Sequence, residues 1–126
     1  MSDESLKLIE KIQKLEEIVE HLSFKQDLIF YDNNVNKFLY EYDINKNQFS
    51  QIMDVMDEFE TKINNNEPVD HRAFEEIIYE VIPQQKGNYH FAEALARNFW
   101  EDRRWEEVFI NLYGYMEKYK YYQRGL

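Results

Sequence analysis

The chain has no cysteine, which removes disulfide frameworks, thiol nucleophiles and cysteine-based zinc or iron–sulfur sites together. Glycine and proline are nearly as scarce, at three and two among 126 residues, and β architectures built on frequent tight turns need more of both. No apolar run approaches the roughly 20 residues that a membrane-spanning helix requires. Positions 1–8 carry acidic and hydroxyl side chains where a signal peptide would carry basic ones, so the expected location is cytoplasmic. Also missing are the His-Glu-x-x-His pair, the Gly-x-Ser-x-Gly elbow, the phosphate-binding lysine loop and the dinucleotide glycine set. His21, His71 and His90 follow Ile18, Pro68 and Gly87 at three residues' distance, so the Glu-x-x-His signature of a carboxylate di-iron bundle is absent too. No cofactor and no metal is expected.

What the chain does contain is hydrophobic and acidic. Apolar residues make up 44% and aromatics 17%, too much for a disordered polypeptide, and a core of large flat side chains follows. The length suits one domain over residues 1–126,. The formal net charge is −10, and residues 1–88 hold 19 acidic against 9 basic side chains, whereas residues 89–126 hold 6 of each. Phosphate backbones and anionic lipid are repelled by such a surface, so neither nucleic acid nor membrane is an expected partner. A basic protein surface fits it better.

The hydrophobic spacing is helical throughout. Leu8, Ile12, Leu15, Val19 and Leu22 recur at steps of 4, 3, 4 and 3, a heptad seam on an amphipathic helix within residues 1–23. Ile9 and Ile18 widen the stripe, and Lys11, Lys14, Glu16, Glu17 and Glu20 cover the opposite face. A short Ser23-Phe24 junction is expected to follow. The next helix is expected over 25–42, with Leu28, Tyr31, Val35, Phe38, Leu39 and Tyr42 inward and a weak point at Asp32-Asn33-Asn34, whose side chains compete for backbone hydrogen bonds. Asn45, with Gln48 three residues on, starts a third helix that buries Phe49, Ile52, Met53, Met56, Phe59 and Ile63,. Asp70 caps a fourth, with Phe74, Ile77, Ile78, Val81 and Ile82 inward until Pro83 stops it,. A closing hairpin has arms over 89–101 and 103–122, with Phe91, Ala92, Leu95, Ala96 and Phe99 facing Trp105, Val108, Phe109, Leu112, Tyr113 and Met116. The fold class expected is all-α, a single multihelical domain of four to six helices.

Three segments invite a chemical reading. Asp43, Asn45, Asn47 and Asp54 imitate a calcium-binding loop, but Gln48 stands where the turn needs glycine and Asp54 replaces the bidentate glutamate,; helix capping by Asn45 explains the same residues. Glu16, Glu17 and Glu20 with Asp54 and Asp57 resemble half of the magnesium set of all-helical nucleoside triphosphate pyrophosphohydrolases, Glu-Glu-x-x-Glu followed by Glu-x-x-Asp. Here the second half is Asp54-x-x-Asp57, 34 residues after Glu20. The tail from Met116 to Arg124 interleaves tyrosines with Lys118 and Lys120, a pattern met in single-strand binders, although bases in a last helical turn equally complement the helix dipole. The seam is the feature where a functional reading outweighs a packing one. Ile12 and Val19 against Leu15 and Leu22 follow the code of a parallel multi-stranded seam and, on its own terms, of two strands.

Larger stretches carry a resemblance. Leu15-Glu-Glu-Ile-Val-Glu-His-Leu22 is followed by Met53-Asp-Val-Met-Asp-Glu-Phe-Glu60, then Phe74-Glu-Glu-Ile-Ile78 after an Asn-rich loop, and finally Ala94-Leu-Ala-Arg-Asn-Phe-Trp-Glu-Asp-Arg-Arg-Trp-Glu-Glu-Val-Phe109. In this order they resemble the YhaI-type family of uncharacterised proteins from Bacillus and its relatives (DUF1878). The resemblance implies a multihelical subunit that intertwines with copies of itself, as a trimer, and implies no enzyme activity. The expectation is thus a non-enzymatic homo-oligomer, trimer or dimer, that acts by protein–protein interaction. Self-association is assigned to Leu8, Ile12, Leu15, Val19 and Leu22. The alternatives are a magnesium-dependent pyrophosphohydrolase and an acidic regulator that sequesters a basic partner.

Overall fold

The structure is a computed structural model and describes residues 2–120. Six α-helices and two short 3-10 turns account for most of those residues, and no strand occurs among them. Helix α1 (Asp3–Phe30) is followed by α2 (Asn34–Glu41), α3 (Lys46–Asn64), α4 (His71–Val81), α5 (Tyr89–Glu101) and α6 (Glu106–Tyr113), with the 3-10 turns at Pro83–Gln85 and Glu117–Tyr119. The all-α expectation holds.

The first four helices start at local signals. The Ser2 hydroxyl accepts from the Ser5 backbone N–H at 3.2 Å, and Asp3 and Glu4 sit in the first turn of α1, where negative charge meets the positive end of the helix dipole. Asn33 caps α2 by accepting from the Asn36 N–H at 2.8 Å. Asn45 and Gln48 complete a reciprocal capping box on α3, at 2.8 and 3.1 Å, and Asp70 caps α4 through the Ala73 N–H at 2.9 Å. Ile82 and Pro83 end α4, since proline lacks the donor and disfavours helix in the residue before it,.

Helix α5 is the centre of the body. It packs on α2, α4 and α6, while α3 packs on α4 and α6. Phe91, Ala92, Leu95, Ala96 and Phe99 are fully buried along it, the two alanines leaving room for aromatic neighbours. Ring pairs tie the layers together: Phe38–Phe91 at 5.1 Å, Phe59–Phe74 at 5.3 Å, Phe99–Trp105 at 5.0 Å and Phe109–Tyr119 at 5.0 Å between centroids. Edge-to-face and tilted geometries of this kind add to simple burial.

Two expected boundaries move. The helix does not stop at Ser23-Phe24 but runs on to Phe30, and the break falls at 31–33; Tyr31, expected inward, is exposed there. The second hairpin arm is not one helix over 103–122. Arg103 and Trp105 adopt positive φ of 60° and 47°, α6 begins only at Glu106, and Gly114 follows its last residue. Trp105 and Met116 are consequently half-buried. Positions 121 and 122 of that arm lie outside the described residues.

Candidate self-association surface

Helix α1 is 28 residues long, which at 1.5 Å per residue is about 42 Å. Its first two thirds touch nothing that buries them: every residue from 2 to 20 is exposed. The seam predicted from spacing is therefore free along its whole length. Leu8 and Leu15 are each 60% exposed, Val19 63% and Leu22 59%, and Ile12 is exposed as well. Leu6, Ile9 and Ile18 join them. These side chains do not serve as the core face of their own domain.

The helix docks on the body only near its C-terminal end, and by a different face. Leu28 is its one buried residue, and the Phe24 ring sits 6.2 Å from Phe49. Polar contacts reinforce the joint. Asp43 accepts from Lys25 Nζ at 2.7 Å and lies 2.8 Å from His21 Nε2. Its carboxyl is held below the usual carboxylate range, first by the hydrogen bond from Lys25 and next by that from His21. Asp43 itself stands at φ 54°, a left-handed position that Asp and Asn tolerate better than most residues.

At 100° per residue, the mean direction of His21, Phe24 and Leu28 lies about 130° around the helix from that of Leu22, Gln26 and Ile29. Gln26 is exposed and Ile29 is 63% exposed. Together they continue the steps of 4 and 3 beyond Leu22, so the seam runs from Leu8 to Ile29. Spacing alone carries this signal, but the junction expected at Ser23-Phe24 hides it.

The other candidate residues are dispersed. Glu16, Glu17 and Glu20 lie exposed on α1, and Asp54 and Asp57 lie exposed on α3. Asp57 accepts from the Trp105 indole N–H at 2.9 Å. Among the described residues, no group of three or more carboxylate or histidine side chains is gathered as a metal ion would need. The calcium-like segment is used for capping by Asn45 and for the joint by Asp43. In the tail, Lys118 pairs with buried Glu93 at 2.9 Å and Tyr119 is buried against Phe109; positions 121–124 lie outside the described residues. His71 pairs with Glu75 at 3.1 Å, and His90 stacks on Tyr89 at 4.0 Å. A groove of about 1040 Å³ runs beside the joint, with Glu17, Glu20, His21, Asp27 and Asp43 on its walls. None of the described helices is long and apolar enough to cross a membrane. No protein-family model, curated protein or solved structure matches the chain.

Proposed function

We propose that this chain is a non-enzymatic, self-associating helical protein that works by binding other proteins, with α1 as its assembly element and the acidic surface as the face offered to a basic partner. The observation that carries this reading is the unburied seam. Seven large apolar side chains, Leu8, Ile9, Ile12, Leu15, Ile18, Val19 and Leu22, stand exposed along the seam and its flanks on one helix. Most helical stability in proteins comes from packing of an amphipathic face, and contiguous apolar patches of this kind mark interaction sites. Pairing with copies of itself would bury the patch and stabilise the helix at once. The carboxylates that flank the groove and the outer face of α1 supply charge for a partner of opposite sign,. Two or three copies fit the reading, the former by the seam's own code and the latter by the YhaI-type resemblance.

Molar mass in solution, by size-exclusion chromatography with light scattering, tests it on the wild type and on Leu15→Asp. A wild-type dimer or trimer that the substitution dissociates supports the reading, and the mass gives the copy number. A stable wild-type monomer that releases pyrophosphate from nucleoside triphosphates with Mg²⁺ overturns it in favour of the enzyme alternative.

A further inference from the structure

Taking self-association through α1 as given, on which this step rests, we propose that the α1 helices pair in parallel and in register, with their globular bodies at the same end of the stalk. The seam reads as two alternating sets of positions, Ser5, Ile12, Val19 and Gln26 in one and Leu8, Leu15, Leu22 and Ile29 in the other, all of them exposed. On a heptad helix the residues flanking the seam decide orientation through charge. Those flanking positions are Lys11, Ile18 and Lys25 on one side, and Ile9, Glu16, Ser23 and Phe30 on the other.

In a parallel, in-register assembly, a flanking residue faces the one five positions on in its neighbour. Lys11 then meets Glu16 of the adjacent copy, and the pairing recurs at every interface. Gln26 meets its own counterpart, so each side-chain amide finds another amide. The antiparallel arrangement aligns residues whose numbers sum to 34 across the seam. It places Gln26 against Leu8, where the amide is desolvated without a partner. On its flanks it sets Glu16 against Glu16, while Lys25, which would face Lys11, is already paired with Asp43 at 2.7 Å. Opposite charges thus face each other in one orientation and like charges in the other, and the parallel form stacks apolar residues on each other in six of the eight layers where the antiparallel form does so in four. Phe24 and Leu28, which hold each body, leave Leu22, Gln26 and Ile29 exposed for the seam.

The chain's lack of cysteine makes single-cysteine variants clean probes. Ser5→Cys and Ile29→Cys would be made separately in the full chain, checked by light scattering under reducing conditions, mixed, and equilibrated in a glutathione redox buffer. The disulfides would then be identified by mass spectrometry. The proposal expects links that join two copies of Ser5→Cys, or two copies of Ile29→Cys, and almost none that join one variant to the other. Mixed links between positions 5 and 29, in an oligomer of intact mass, overturn the parallel orientation and leave self-association standing. Monomeric mass for the reduced variants and the wild type alike overturns self-association, and this proposal with it. As a second reading, Lys11→Glu is expected to weaken assembly roughly tenfold and Lys11→Glu with Glu16→Lys to restore it. Absence of that rescue counts against the register.

Discussion

Asp102 shows how one side chain fixes a junction between distant parts of the chain. Its carboxylate accepts from the Val35 N–H at 2.8 Å, the Asn34 N–H at 3.2 Å and the Asn34 side-chain amide at 2.9 Å. It therefore satisfies the first free donors of α2 from a loop 67 residues away, at the end of the helix that carries positive dipole charge,. Asp102→Ala is expected to cost about 1–2 kcal/mol, read as a lower urea midpoint at unchanged slope; Asp102→Asn, which keeps one acceptor oxygen, should lose less. Asp43 allows a test with pH. Its folded pKa lies below the ordinary 3.8 because Lys25 and His21 hydrogen-bond to the charged form. A depressed carboxylate pKa contributes stability that is fully present above the unfolded value and is lost as pH falls through the folded one. The effect is confined to pH below about 4 and is small, since the group is mostly exposed,. Asp43→Asn keeps the left-handed backbone accessible and removes the titrating charge, so the variant's stability should fall less steeply than the wild type's below about pH 4. An unchanged acid limb would mean that the ion pair adds nothing measurable.

At the scale of elements, α1 has one face docked on the body and one exposed, and under the proposed function substitutions on them should separate docking from association. Leu28→Ala removes the buried residue that anchors the helix and is expected to destabilise the folded protein by about 2–3 kcal/mol in urea titrations. Leu22→Ala, six residues earlier on the exposed face, should leave the stability of the body unchanged and weaken association instead. The capping residues Asn45, Gln48 and Asp70 and the stop at Pro83 are legible because their chemistry is local: a side chain and the backbone three residues away suffice. The boundary expected at Ser23-Phe24 fails for lack of a breaker, since neither residue removes a donor or demands positive φ. Asp32-Asn33-Asn34 holds the residues that do compete with the helix, and the break falls among them. The late start of α6 is not legible. Arg103 and Trp105 take left-handed backbone, at positions where nothing in the sequence marks the turn with glycine or asparagine. Tertiary contacts hold it, Trp105 packing edge-to-face against Phe99 and donating to Asp57.

For the whole molecule, spacing reveals the seam but not which side of the fold it occupies. The same residues fit a core stripe and an external one. What distinguishes them is that the core runs from Leu28 to Tyr119 and takes in none of residues 8–22. The molecule then divides into a body that carries its own core and an arm that does not, and the two should respond differently to dilution. An isolated helix near twenty residues, with no alanine-rich composition to favour it, is only partly formed in water. Far-UV circular dichroism should therefore lose a fraction of its helical signal as the protein is diluted through its dissociation range. The aromatic near-UV signal should persist, because it arises from ring pairs inside the body such as Phe38–Phe91 and Phe59–Phe74. Leu15→Asp should show the diluted far-UV spectrum at every concentration, with wild-type near-UV intensity. If both regions collapse together on dilution, the body depends on the assembly for its fold, as an intertwined oligomer requires. If neither changes and the mass stays monomeric, the arm is helical alone, and assembly is not what stabilises it.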